Sequence, residues 1–222
     1  MKSANIHVEE QPVRIPVGNV SLQGDLSLPD DARGAVLFAH GSGSSRHSSR
    51  NRFVAAELQA GGLATLLMDL LTVKEERADA MTGHLRFDIE LLAQRLMAAT
   101  DWLANQPQTS KLRIGYFGAS TGGGAALVAA AARADSVAAV VSRGGRPDLA
   151  GDALPHVQAP TLLIVGGNDQ PVIEMNRQAM AQMHCDKQLQ IIPGATHLFE
   201  EPGTLEQVAE LAREWFDQHL SR

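Results

Sequence analysis

Leu112–Ala126, with the sequence LRIGYFGASTGGGAA, is the stretch around which the rest of the chain is organised. It opens with strand-forming residues, breaks at Gly118-Ala119-Ser120-Thr121-Gly122, and continues through small residues as a predicted helix over 123–134. This is the pattern G-x-S-x-G in the order strand, turn and helix, which places the serine on a sharp turn with its hydroxyl exposed. The first amides of the helix would face negative charge that forms at this turn. Ser120 is therefore the candidate nucleophile.

The same pattern leaves other classes of protein open. A glycine-rich turn between a strand and a helix also occurs in proteins that bind phosphate groups. The chain lacks the nucleotide-binding pattern G-x-x-x-x-G-K-[ST], however, and its turn follows a later strand instead of opening the domain. A hydrolase fold without catalysis, used as a binding protein, is the other alternative.

Length and composition narrow the range of functions. The 222 residues predict one domain covering 1–222, and 44% hydrophobic residues argue against disorder. A net charge of −6 gives no reason to expect a nucleic acid or a membrane surface as partner. Cys185 is the only cysteine, which excludes a disulfide within the chain and favours a reducing compartment. The first residues lack the apolar core of a signal peptide, so we expect a cytoplasmic protein.

Apolar runs alternate with amphipathic segments along the chain. Strands are predicted at 13–17, 20–28, 35–39, 63–70, 114–117, 137–141, 161–165 and 188–192, and helices at about 49–60, 85–104, 123–134, 171–183 and from 204 onward. Continuous apolar strands between helices are typical of a parallel sheet that is covered on both faces. We therefore predict an α/β fold with a mostly parallel, roughly eight-stranded sheet. A polar loop is predicted at 71–83, and the short connection at 142–160 leaves no room for a large cap domain.

Three residues with catalytic potential each follow a predicted strand. The carboxyl ends of parallel strands meet at one edge of a sheet, so Ser120, Asp169 and His197 are expected to lie together. A serine hydroxyl needs a base to take its proton, and His197 would act as that base and later as the acid. Asp169 would orient the imidazole and stabilise its charged form. Asp69 and Asp148 are the alternative carboxylates.

Attack by a serine on an acyl group also requires amides that stabilise the oxyanion. The backbone N–H of Thr121, directly after the nucleophile, is one expected donor. The second should come from the loop His40-Gly41-Ser42-Gly43, with the Ser42 N–H favoured and the Gly41 N–H as the alternative. His40 is expected to hold this loop in place and not to act as the base.

Two arginines are candidates for substrate binding. Arg46 lies next to the predicted oxyanion loop, and Arg143 lies at the end of another strand. A guanidinium group can bind a carboxylate or phosphate with two parallel hydrogen bonds, so these residues suggest an anionic ester. The alternative is that the arginines pair with Asp69, Glu57 or Asp148 and fix the loops.

Four motifs, in chain order HGSGSS, GASTG, GGND and GATH, together resemble the α/β-hydrolase superfamily and in particular its dienelactone-hydrolase-like branch. The resemblance extends from about residue 20 to 220 and implies an α/β-hydrolase fold with a minimal cap. Dienelactone hydrolases proper carry cysteine at the nucleophile position, where this chain has Ser120. A serine hydrolase that cleaves small carboxylic esters or lactones through an acyl-enzyme is therefore the leading prediction. A dienelactone-type lactonase or an acyltransferase is the alternative.

The expected reaction uses side chains and backbone amides, so no cofactor is predicted. The sequence has neither an H-E-x-x-H pattern nor a Cys/His pair that would indicate a metal. The expected partner is a small-molecule ester or lactone, with neither nucleic acid nor membrane, and a homodimer is left open.

Overall fold

The structure, a computed structural model, describes residues 7–221. Its strands are β1 (Val8–Val17), β2 (Val20–Pro29), β3 (Ala35–Ala39), β4 (Ala64–Met68), β5 (Ile114–Ala119), β6 (Val137–Arg143), β7 (Thr161–Gly166) and β8 (Lys187–Ile192). Its α-helices are α1 (Ser49–Ala60), α2 (Val73–Thr82), α3 (Ile89–Ala104), α4 (Thr121–Ala132), α5 (Gln170–Gln182) and α6 (Thr204–Leu220). Shorter 3-10 turns lie at Leu85–Phe87 and Pro147–His156.

The eight strands form one sheet in the order β1-β2-β4-β3-β5-β6-β7-β8. β1 and β2 form an antiparallel hairpin, β2 pairs antiparallel with β4, and every other pairing in the sheet is parallel. The prediction of a mostly parallel, roughly eight-stranded sheet is thus confirmed. Because β3 to β8 run in one direction, their carboxyl ends meet at one edge, where side chains from distant parts of the sequence converge.

Helices cover both faces of this sheet because its central strands are apolar on both sides. Every residue of β3 is buried. Val36 and Leu37, which are consecutive in this strand, point into two different core layers. One layer contains residues of α3 and α4, such as Leu96, and the other contains residues of α1 and α6, such as Phe216. Within residues 7–221, no helix has both the length and the apolarity that a membrane span requires.

The prediction of a polar loop at 71–83 is wrong, since most of this segment forms α2. The Thr72 side chain accepts from the Glu75 N–H, and the Glu75 side chain accepts from the Thr72 N–H, so the helix begins with a capping box. It ends at Gly83, whose φ of 68° suits the left-handed conformation of a C-cap. Only Asp79 of this helix is buried, so the apolar periodicity that identifies most helices is missing.

The connection between β6 and β7 adds no separate domain within the described residues. Its 3-10 turns at Pro147–His156 pack against α4 and α5. This agrees with the minimal cap expected from the shortness of the connection.

Candidate active site

Ser120 lies on a strained turn between β5 and α4, with φ 51° and ψ −123°. The glycines on either side are required by close backbone contacts. A Cβ atom on Gly118 would lie 2.6 Å from the carbonyl oxygen of Gly122. A Cβ atom on Gly122 would lie 2.2 Å from the carbonyl oxygen of Ala39. The G-x-S-x-G pattern therefore forms the strand–turn–helix elbow, and a larger residue at either glycine would force it open.

His197 is hydrogen-bonded to the carboxylate predicted to orient it. His197 Nδ1 lies 2.7 Å from Asp169 Oδ2, although the residues are separated by 28 positions in the sequence. Asp169 precedes α5, and His197 lies in the loop between β8 and α6. The His197 side chain is 38% exposed and the Asp169 side chain 15% exposed, so the ring is accessible and the carboxylate is shielded. With Nδ1 held in this way, Nε2 is the ring nitrogen available for proton transfer.

The two alternative carboxylates have other partners. Asp69 accepts a hydrogen bond of 2.8 Å from the Arg46 N–H and also pairs with the Arg46 guanidinium. Asp148 accepts two hydrogen bonds from the Arg146 guanidinium, at 2.8 and 2.7 Å. Of the three candidate carboxylates, the structure brings Asp169 to the histidine.

Ser120 and His197 line the same cavity, which has a volume of about 250 Å³. This Ser120 cavity opens at the carboxyl edge of the sheet, where β5 and β8 deliver the two residues. Its lining also includes Gly41, Ser42, Arg50, Asn51 and Arg143. The candidate nucleophile and the candidate base therefore face one common space.

The loop after β3 lies against the elbow, but its favoured oxyanion donor is occupied. The Ser42 N–H donates a hydrogen bond of 2.9 Å to Thr121 Oγ1. Gly41 packs directly against the nucleophile, since a Cβ atom on it would lie 3.1 Å from Ser120 Cβ. In this state the Ser42 amide is used within the protein, which favours Gly41 as the second donor.

His40 fixes this loop, in agreement with the structural role predicted for it. The Leu70 N–H donates to His40 Nε2 at 3.1 Å, so Nδ1 carries the ring proton and donates to the Gly41 carbonyl at 2.9 Å. Burial lowers the pKa of His40, with the Gly41 hydrogen bond and Asp69 opposing this change. These two hydrogen bonds require a neutral imidazole, because Nε2 accepts one of them while Nδ1 donates the other.

Of the two arginines predicted to bind substrate, Arg143 lines the Ser120 cavity and Arg46 does not. Arg143 is 7% exposed, donates to Asn51 Oδ1 at 3.4 Å, and lies 5.8 Å from the centre of the Phe199 ring. Within residues 7–221 it has no carboxylate partner. Burial, and to a smaller extent Arg50, lowers the pKa of Arg143 to about 10, so it remains a cation at neutral pH.

Arg46 instead has the structural role that was predicted as the alternative to substrate binding, because it pairs with acidic residues. Its guanidinium pairs with Asp69 and lies 3.5 Å from Asp25 Oδ2. These contacts connect the loop after β3 to the middle of β2 and to the residue that follows β4. Because two carboxylates already hold this side chain, it is not available to an anionic substrate.

Two residues of α1, Arg50 and Asn51, also line the Ser120 cavity. Arg50 Nη1 lies 3.3 Å from Glu200 Oε1 in the loop that carries His197. Asn51 is 2% exposed and is the hydrogen-bond acceptor of Arg143. The sequence places Arg50 with Arg46 and Arg52 in a cluster beside the HGSGSS motif that could bind an anion or fix the loop, whereas nothing in the local sequence distinguishes Asn51.

The chain is similar to known proteins over most of its length. A family model described as the dienelactone hydrolase family matches residues 26–220. A crystal structure described as a dienelactone hydrolase from Anabaena variabilis has 65% sequence identity, a TM-score of 0.94, and covers 96% of this chain and 99% of its own. An esterase domain from Rhodothermus marinus has 20% identity and a TM-score of 0.75, covering 95% of this chain and 99% of its own, and shares the fold.

Curated relatives from two strains of Mycobacterium tuberculosis carry a different description. They are 60% identical to this chain over 218 residues and are named "Putative phosphoribosyl transferase". The match includes 98% of this chain but 48% of each relative. The chain thus spans about half the length of the curated relatives that it matches.

Proposed function

The chain belongs to the dienelactone hydrolase family, and from this premise we propose that it is a serine hydrolase that cleaves carboxylic esters or lactones of small molecules. The observation that supports this most strongly is the hydrogen bond of 2.7 Å between Asp169 and His197, beside the cavity that Ser120 also lines. A serine on an elbow, a histidine and a carboxylate that orients it are the three groups that acyl transfer through a serine requires.

In the first step, His197 Nε2 removes the proton of Ser120 Oγ as this oxygen attacks the acyl carbon. The Asp169 carboxylate accepts a hydrogen bond from the Nδ1–H group, remains ionised and stabilises the imidazolium that forms. The bond between the acyl carbon and the leaving oxygen then breaks, and His197 donates its proton to that oxygen. The products of this step are an alcohol, or the opened end of a lactone, and an acyl-enzyme on Ser120.

In the second step, water takes the position of the leaving group. His197 removes a proton from the water, whose oxygen attacks the acyl carbon, and the same proton returns to Ser120 Oγ. The acid product leaves and the free serine is restored. An acyltransferase would use an alcohol or another acceptor in place of water in this step.

The oxyanion formed in both steps needs donors on the side of the elbow away from the base. The Thr121 N–H supplies one, because it begins α4 directly after Ser120. For the second donor we favour Gly41, since the Ser42 N–H is bonded to Thr121 Oγ1. Each such donor typically contributes about 10²–10³ in turnover.

Arg143 supports an anionic substrate. Its buried guanidinium, which has no carboxylate partner within residues 7–221, lies in the same cavity as Ser120 and His197. A carboxylate or phosphate on the substrate would compensate this charge and could form two parallel hydrogen bonds with it. We therefore expect the protein to prefer an ester whose portion in this cavity carries a negative charge.

Hydrolysis of a panel of p-nitrophenyl esters and small lactones tests the proposed function. The parent protein should hydrolyse members of the panel, and Ser120→Ala should retain no turnover above background. Addition of alcohols to the assay separates a hydrolase from an acyltransferase, because an acyltransferase would form new esters. Absence of turnover by the parent on the whole panel would favour the alternative of a binding protein with this fold.

A further inference from the structure

A second cavity, with a volume of about 510 Å³, lies between α2 and the loop after β3. We call it the α2 cavity. Its lining includes the apolar side chains of Leu70, Leu71 and Leu92 and the carboxylate-bearing Glu76. The cavity is about twice as large as the Ser120 cavity, and the mechanism above gives it no role.

The two cavities are adjacent because the same loop residues line both. Gly41 and Ser42 occur in both linings, and Gly41 is also the residue packed against Ser120. An acyl carbon attacked by Ser120, with its oxyanion at the amides of this loop, would therefore lie where the two cavities meet. One portion of the substrate can extend into each cavity.

The position of His197 decides which portion enters which cavity. The leaving oxygen must lie beside His197, because it receives its proton from that ring. His197 lines the Ser120 cavity and does not line the α2 cavity. The leaving group therefore stays in the Ser120 cavity, and the acyl chain extends past Gly41 and Ser42 into the α2 cavity.

Among the described residues, the Glu76 carboxylate in the α2 cavity has no ion-pair partner. Asp79, also in its lining, is hydrogen-bonded to the Arg86 guanidinium and to the Leu85 N–H. Among the described residues, Glu76 has neither an ion pair nor a hydrogen bond from its side chain. Burial raises the pKa of Glu76, and nearby Asp69 raises it further, which Arg46 partly opposes. A positive charge beside the Glu76 carboxylate would stabilise its ionised form and so oppose both causes of the raised pKa.

We propose that the α2 cavity binds the acyl chain of the substrate and that Glu76 binds an ammonium group on that chain. The leucine side chains would pack against its methylene groups, and the carboxylate would accept charge-assisted hydrogen bonds from its end. The inference rests on the proposed function, because the acyl chain is positioned by attack of Ser120. It adds a substrate class, ω-amino acyl esters, and a specificity-determining residue.

Three p-nitrophenyl esters with one leaving group and different acyl chains test this proposal. They are the ester of ε-aminocaproic acid, which ends in ammonium, the ester of heptanoic acid, which ends in methyl, and the monoester of adipic acid, which ends in carboxylate. The value of kcat/KM, divided by the rate of alkaline hydrolysis of each ester, reports recognition of the acyl chain. The parent should prefer the ammonium ester over the heptanoate by about tenfold, the effect of one charge-assisted hydrogen bond.

Matched variants assign that preference to one side chain. Glu76→Gln should abolish the preference for ammonium, so that its kcat/KM for the ammonium ester falls to about its kcat/KM for heptanoate. Glu90→Gln removes an exposed carboxylate at the start of α3, outside the cavity lining, and should retain the preference. Glu76→Lys should turn the preference toward the adipate monoester. Thermal unfolding monitored by circular dichroism verifies that each variant is folded.

The outcomes separate this inference from the proposed function. If the parent releases no p-nitrophenol from any of the three esters in a Ser120-dependent manner, the proposed function fails and this inference fails with it. If it hydrolyses heptanoate but does not prefer the ammonium ester, only the role of Glu76 is overturned. Persistence of the preference in Glu76→Gln also overturns it.

Discussion

The backbone N–H of Ser42 donates a hydrogen bond of 2.9 Å to the side-chain hydroxyl of Thr121, 79 positions later in the chain. This bond joins the loop after β3 to the first residue of α4, and the Thr121 residue is only 4% exposed. It fixes the separation between the loop and the elbow. The same N–H cannot donate fully to an oxyanion at the same time, so the bond decides which amide completes the oxyanion site.

Thr121→Val tests whether this hydrogen bond positions the loop. Valine keeps the shape of the side chain but leaves the Ser42 N–H without its acceptor, at a cost of about 1–3 kcal/mol. We expect kcat for p-nitrophenyl acetate to fall about tenfold with a smaller change in KM, and Thr121→Ser to restore it. A higher kcat in Thr121→Val would mean instead that Thr121 withholds Ser42 from the oxyanion, which contradicts our assignment of Gly41.

Asp169→Asn tests which carboxylate serves His197. An asparagine at this position cannot hold the imidazole in the tautomer that leaves Nε2 free to accept a proton, so kcat should fall by roughly 10³–10⁴. Asp148→Asn, which weakens an exposed pair with Arg146, is the matched control and should change kcat little. Equal losses in the two variants would remove the reason for assigning the role to Asp169.

The charge of Arg143 should make the protein prefer esters with an anionic leaving group. Acetyl esters of p-hydroxybenzoate and p-hydroxybenzamide differ in the charge of the leaving group and little in its shape. The parent should favour the carboxylate ester in kcat/KM, and Arg143→Gln should lower that preference about tenfold because the anion loses its partner. Arg46→Gln should retain the preference, because Arg46 is held by Asp69 and Asp25. A preference that depends on Arg46 and not on Arg143 would reverse this assignment.

His40 should make the stability of the protein depend on pH. Burial lowers the pKa of His40 in the folded state below its usual value of about 6.5, so the unfolded chain binds the proton more readily. The free energy of unfolding should therefore fall as the pH decreases from about 6.5 toward the lowered pKa. The free energy of unfolding, measured by chemical denaturation over this pH range, should change less steeply with pH in His40→Gln than in the parent. An unchanged slope would mean that His40 is not the group responsible.

The sheet could be predicted because burial on both faces leaves a local signal. Uninterrupted apolar runs such as Ala35–Ala39 can be read from neighbouring residues alone, and so can the glycines of the Ser120 elbow. α2 was missed because its one buried residue, Asp79, is polar. Its remaining signals were the capping residues Thr72 and Glu75 and the terminal Gly83, which an argument from apolar periodicity does not use.

The site residues could be predicted to the extent that they follow strands. Ser120, Asp169 and His197 are brought together by the common edge of the sheet, so their positions after strands were sufficient. Contacts between loops could not be decided in this way. Pairing of Arg46 with Asp69 was one of two alternatives that the sequence left open, because the choice depends on the exact spacing of two loops. The bond between Ser42 and Thr121 depends on such spacing as well.

The most direct test of the account is covalent labelling with a fluorophosphonate, followed by peptide mass spectrometry. Such reagents phosphonylate a serine that an adjacent histidine activates. We predict one label, on the peptide that contains Ser120, with no label in Ser120→Ala and slow labelling in His197→Ala. A label on another residue, or labelling that persists in Ser120→Ala, would contradict the assignment of the nucleophile.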